Sequence, residues 1–229
     1  MPGKRKPRRL GSGEDTPEDP GRDQLGMERL VFFSDAVFAI AITLLVLQIQ
    51  LPAGAEAFDD RQLLDGLVAI WNKYLAYVIS FLVIGTFWVS HHRKFRLIRR
   101  YDSTLLLLNV LMLMFVAFLP FPSSVISANP NRTATIFYAM VVALVALLMA
   151  AMWWYAAWRG HLVGAEVGPR RRRREIAALL STAAVFLLSM GIAFIGPDLA
   201  KLSWLLTLPG TIIINRGPRS GLRSRTPPA

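Results

Sequence analysis

The 229-residue chain contains no cysteine. That excludes a disulfide framework, a thiolate metal site and a cysteine nucleophile. Charge is scarce, 18% of residues against 54% apolar ones. The chain is therefore too apolar for a disordered protein and too weakly charged for a soluble domain. Acidic residues are scarcer still, 15 against 26 Lys and Arg, giving a formal net charge of +11. Histidine occurs only three times. His91 and His92 are adjacent, so on a helix they point about 100° apart and do not converge on one metal. No His-Glu-x-x-His spacing, Gly-x-Ser-x-Gly elbow, phosphate-binding loop or intramembrane aspartate pair occurs. No enzyme constellation and no cofactor are expected.

What the chain has in quantity is apolar residues in blocks about 20 long, the length a helix needs to cross a bilayer. Six such segments cover residues 30–51 (ended by Pro52), 69–89, 104–121, 133–154, 176–195 and 199–214. The last is the weakest, being short and carrying Pro209 and Gly210. None alternates as a barrel strand would. The fold expected is an all-α integral membrane protein with six transmembrane helices in residues 27–215. Residues 1–26 and 216–229 read as disordered basic tails. The basic cluster from Lys4 to Arg9 is followed by Gly-Ser-Gly-Glu-Asp rather than an apolar stretch, so the first helix is expected to be retained rather than cleaved.

Orientation follows from the Lys and Arg positions. The N-terminal tail through Arg29 holds seven, the loop after the second span five, the loop after the fourth six and the C-terminal tail four. Six spans put these 22 on one side and the remaining four, Arg61, Lys73, Arg132 and Lys201, on the other. Both termini are thus expected on the cytoplasmic side of the cell membrane. This asymmetry accounts for the basic excess without nucleic acid. The run Arg170, Arg171, Arg172, Arg173 and Arg174, placed in the loop before the fifth span, is expected to meet anionic lipid.

Polar residues within spans are candidates for function. They are Ser34 and Asp35 in the first span, His91 and His92 at the end of the second, and Asn109 in the third. Either Ser34 and Asp35 cap a helix at the interface, or they join a hydrogen-bonded cluster across helices. In the second case Asp35 accepts from His91 or His92, from Asn109, or from Ser34 of another helix, with Arg29 nearby to offset its charge. Trp88 and the other aromatics near span ends read as an interfacial belt. On the first span Ala36, Ile40, Thr43, Leu47 and Gln50 share one helical face, and Ala36, Ala39 and Ala41 permit close helix approach. Periodicity alone leaves that face as core, lipid surface or pore wall.

The run Arg29-x-x-x-Phe33-Ser34-Asp35, continuing Ala-Val-Phe-Ala-Ile-Ala-Ile-Thr-Leu-Leu-Val-Leu, resembles the first-helix signature of the lysosomal potassium channel family (transmembrane protein 175) and its bacterial homologues. The resemblance extends through Phe87-Trp88-x-x-His91-His92, Asn109 and Leu119-Pro120-Phe121. It implies a potassium-permeable cation channel, with one six-helix repeat here and two in eukaryotic members. A homotetramer would place four first helices around a central pore. It further implies that Ile40 is the main constriction, that Thr43 offers hydroxyls to a partly dehydrated ion, and that Leu47 adds an apolar layer. K+, the permeant ion, would pass transiently near Ile40 and Thr43. Arg29, Phe33, Ser34, Asp35, Trp88, His91, His92 and Asn109 would form a structural or gating network. No TVGYG filter occurs in the sequence. Gln48 departs from the acidic residue expected in many bacterial relatives. Two other readings stay open from the residues: a secondary cation transporter coupled to protons through Asp35 and the histidines, and a non-transporting membrane scaffold.

Overall fold

The computed structural model describes residues 20–54, 58–159 and 162–204. Helix α1 (Pro20–Leu44) continues as one tighter 3-10 turn (Leu45–Gln48). It is followed by α2 (Asp60–Ala69), α3 (Trp71–Phe95), α4 (Ser103–Phe118), α5 (Pro120–Ala128), α6 (Arg132–Trp158), α7 (Pro169–Ile192) and α8 (Pro197–Trp204). Among the described residues five stretches are long and apolar enough to span a bilayer: Gln24–Gln48, Trp71–Phe95, Ser103–Ala128, Arg132–Trp158 and Pro169–Ile192. They match the first five expected spans. The sixth, 199–214, begins within α8, and its residues from 205 on lie outside the described residues, as do 1–19 and 216–229. Residues 20–26, assigned from sequence to the tail, belong to α1.

Local chemistry sets the boundaries. Asp59 caps α2 in a reciprocal box with Gln62, Asp102 accepts from Leu105 N at the start of α4, and Asn131 accepts from Ala134 N at the start of α6. Each satisfies a donor that a helix start leaves open. Pro120 opens α5. Lacking an N–H, it interrupts the hydrogen-bond ladder and breaks the third span.

Helix α6 is the centre of the bundle. In its most apolar window 61% of residues are buried, against 28% for the α1 span. Its buried alanines, among them Ala139, Ala143, Ala146 and Ala150, let neighbouring helices approach closely. Helix α8 docks through Trp204, stacked between Tyr138 and Phe186 and donating to Ser189 Oγ at 2.8 Å. Deeper in the bundle the Ser80 hydroxyl bonds Ser123 at 2.8 Å and Tyr138 at 3.1 Å, joining α3, α5 and α6.

At the other end two basic loops are tied backbone to backbone. Arg99 N donates to Leu162 O at 2.7 Å and Gly164 N to Leu97 O at 3.0 Å, around an antiparallel bridge between Ile98 and Val163. The α3–α4 and α6–α7 connections therefore share one end, as the charge count requires. The Arg170–Arg174 run is not loop, contrary to the sequence expectation. Pro169 opens α7, its fixed backbone angle suits a first helical position, and arginine is a good helix former. Cations at a helix start oppose its dipole, and the chain offsets them locally. Arg172 donates to Val167 O at 2.9 Å and to Ala157 O, in the last turn of α6, at 2.8 Å.

One turn further, Glu175 accepts from Arg93 at 3.0 Å and from Lys94 at 3.2 Å. The Lys94 side chain is fully buried and also donates to Ser90 Oγ at 2.7 Å. Lys94, in the last turn of α3, sits where that helix's dipole favours a cation. Removing one partner of a buried pair leaves the other charge uncompensated. Glu175→Ala is therefore expected to cost about 3–5 kcal/mol, read as a lowered unfolding midpoint in detergent. Lys94→Met combined with Glu175→Leu should recover part of it. A wild-type midpoint for Glu175→Ala would show that the clamp carries no structural weight.

Candidate functional site

Helix α1 presents two unlike faces. Leu30, Ser34, Phe38, Ala41 and Leu45 are buried against the bundle. Arg29, Phe33, Ala36, Ile40, Thr43, Leu47 and Gln50 are exposed on the protomer, Ile40 by 58% and Leu47 by 65%. Their spacing alternates four and three, the interval at which helices meet along a seam. The Thr43 hydroxyl donates to Ile40 O at 2.9 Å. Its proton is committed to the helix, and what faces outward is an oxygen that only accepts. At the far end Gln48 donates through Nε2 to Pro120 O at 2.6 Å, pinning the 3-10 turn to the proline break of the third span.

The rotation of α1 is set by a buried polar chain. His91 Nε2 lies 2.9 Å from Asn109 Oδ1, Asn109 Nδ2 donates to Ser34 Oγ at 3.0 Å, and Ser34 Oγ donates to Leu30 O at 2.8 Å. All three side chains are buried. An amide oxygen only accepts, so His91 is the donor and carries its proton on Nε2. The ring is held by stacking on Phe95 at 4.2 Å and by a tilted contact with Phe38 at 5.5 Å.

Asp35 lies outside this chain. It accepts from Trp88 Nε1 at 2.8 Å, not from either histidine, Asn109 or Ser34. The reason is angular: Ser34 points into the bundle, and Asp35, about 100° around the helix, points to the α3 edge where Trp88 lies. His92 faces Trp88, with ring centroids 5.8 Å apart. Arg29 and Phe33 are brought to neither cluster. Both sit on the open face, and the Arg29 guanidinium has no partner among the described residues. Sequence reasoning missed Trp88 as the donor because its place near a span end reads as interfacial belt. It missed the Lys94–Glu175 clamp because Lys94 counts as one of several basic residues there. Among the described residues no three His, Asp or Glu converge on a metal position.

The family described as endosomal/lysosomal potassium channel TMEM175 matches residues 29–120, the stretch that holds α1, the polar chain and the proline break. A potassium channel of Streptomyces collinus is 39% identical over 177 residues, covering 75% of this chain and 84% of that protein. The endosomal/lysosomal proton channel TMEM175 of Bos taurus is 32% identical over 181 residues, covering 75% of this chain and 38% of that protein. The crystal structure of a lysosomal potassium-selective channel TMEM175 homolog from Chamaesiphon minutus superposes with a TM-score of 0.71 at 31% identity. It covers 84% of this chain and 100% of that one.

Truncating Asn109 strands the buried His91 Nε2–H and removes the donor to Ser34 Oγ, whose own hydroxyl still reaches Leu30 O. Asn109→Ala is expected to cost about 1–3 kcal/mol for the orphaned imidazole donor, measured as thermal unfolding in detergent. Trp88→Phe removes one half-exposed donor and should cost less. The reverse order would place the anchor of α1 at Asp35 rather than Ser34.

Proposed function

The chain belongs to the TMEM175 family, one of ion channels and not of enzymes, and from that premise we propose that it is a potassium-permeable cation channel. In this reading residues 27–215 form the channel domain, and four copies assemble with their α1 helices around a central path in the cell membrane, termini on the cytoplasmic side. The observation that carries the proposal is the open face of α1. A peripheral helix leaves a regular apolar seam unpacked on the protomer, interrupted by an outward-facing Thr43 oxygen. A lipid-facing helix would show the same spacing, and it is the family membership of the chain that favours a path along this face.

The physics follows from that face. A ring of Ile40 side chains is too apolar to hold water well, so it gates by dewetting and makes an ion shed part of its shell. Thr43 oxygens one turn away replace part of what is lost, and Leu47 adds a second apolar layer. Potassium releases water more readily than sodium, so discrimination arises without a carbonyl cage and is weaker than such a cage gives. Ser34, Asn109 and His91 hold the phase of the helix, with Asp35 and Trp88 as a second tie. Arg170, Arg171 and Arg173, all exposed, meet anionic headgroups at the basic end. The proton-channel name of the bovine relative gives a second reading, protons along the same path.

Liposomes loaded with potassium test both readings. Wild-type protein should pass potassium faster than sodium, and a proton gradient alone should not move the reversal potential. Ile40→Asn should raise flux and erode the preference. A tenfold change corresponds to about 1.4 kcal/mol at the constriction. Thr43→Ala should lower the potassium preference with less effect on total flux. Flux indifferent to both substitutions would put the path elsewhere, and a reversal potential that follows pH would favour protons.

A further inference from the structure

A second concavity opens at the basic end, away from the open face of α1. It has a volume of about 530 Å³ and lies between the last turns of α3 and the α6–α7 connection, within the roughly 300–1,000 Å³ range of ligand clefts. Its walls are of two kinds. Arg93, Arg96, Arg99 and Arg171 supply cationic lining, and Trp88 and Val89 apolar lining. The lining carboxylate, Glu166, is already engaged by Arg99 at 2.7 and 3.2 Å. Those bonds hold its carboxyl below the ordinary carboxylate range. Arg93 reaches Glu175. The Arg96 guanidinium has no partner among the described residues, and the Arg171 guanidinium hydrogen-bonds to nothing among them, meeting only the field of Glu166. His92 also lines the pocket, and its Nδ1 is buried without a hydrogen bond among the described residues. The pocket therefore holds more cationic donors than its own carboxylate satisfies, beside exposed apolar surface on a spanning helix.

We propose that this pocket binds the phosphate of an anionic phospholipid headgroup, with the phosphate between Arg96 and Arg171 and an acyl chain along Val89 and Trp88. Guanidinium forks suit phosphate oxygens, and basic pockets between helices at a membrane surface take such headgroups. The apolar wall favours a lipid over a soluble phosphate. The proposal rests on the lipid reading of the basic end only for placing that end at the headgroup layer. It differs from that reading in naming a saturable site built largely on α3. Because Trp88 also holds Asp35, the occupant touches a residue that ties down α1.

Native mass spectrometry of the full chain in detergent tests it, by titration with dioctanoyl phosphatidylglycerol, dioctanoyl phosphatidylcholine or inorganic phosphate. Phosphatidylglycerol should bind saturably and phosphatidylcholine should not. Arg96→Gln with Arg171→Gln should weaken phosphatidylglycerol about thirtyfold, while the corresponding lysine pair keeps most of the binding. Arg100→Gln with Arg159→Gln removes equal charge from the same end outside the pocket and should change it little. Phosphate competing as strongly as the lipid would overturn the lipid and leave a soluble phosphate ligand. Equal loss in the two glutamine pairs would overturn the pocket and keep only diffuse attraction by the basic end. No preference for the anionic lipid in any variant would overturn both.

Discussion

The hydrogen-bonded chain from His91 through Asn109 to Ser34 fixes the rotational phase of α1, and the site depends on that phase. An apolar helix in an apolar solvent has little to hold its orientation, since Leu and lipid tails are nearly equivalent neighbours. Directional bonds supply what greasy surfaces do not. A shift of one residue turns a helix about 100°, which would carry Ile40 and Thr43 off the open face. The buried Asn109–Ser34 bond makes that shift expensive, because breaking it leaves the Asn109 amide donor without its acceptor away from water, while the His91–Asn109 bond holds that amide in place.

Helix α3 distributes such bonds along its length. Ser80 ties it to α5 and α6, His91 to α4 and through Asn109 to α1, and Lys94 to α7. These residues lie on its buried side with Val83, Ile84 and Phe87. Trp88, on the exposed edge, reaches Asp35. The bundle thus combines close packing around α6 with a sparse set of polar contacts on α3 that decide which face each neighbour presents.

The spans were legible because the bilayer imposes a length and a composition, and both survive in the sequence. That the α3–α4 and α6–α7 connections share one end was legible because basic residues alternate with span number. The two faces of α1 were legible as periodicity, and the signature around Ser34 and Asp35 gave them a meaning. The partner of Asp35 was not, because several donors stood at comparable sequence positions and only the angle between residues 34 and 35 separates them. Nor was the start of α7, because five arginines in a row read as a solvated loop until Pro169 and the acceptors of Arg172 are in view. Helix α2 went unread because at ten residues it is too short to span a bilayer and its acidic residues suggest a loop. The sixth span lies largely outside the described residues.

The backbone bridge between residues 98 and 163 has a mechanical consequence. With the Lys94–Glu175 clamp beside it, it fastens α3, α4, α6 and α7 into a closed frame at the basic end. Helix α1 stands outside that frame, held by directional bonds at Ser34, Asp35 and Gln48. Between those ties Phe38, Ala41 and Leu45 hold it by apolar packing alone, which resists separation but carries no directional bond to a neighbouring helix. Ile40 and Thr43 lie on the opposite side of that stretch.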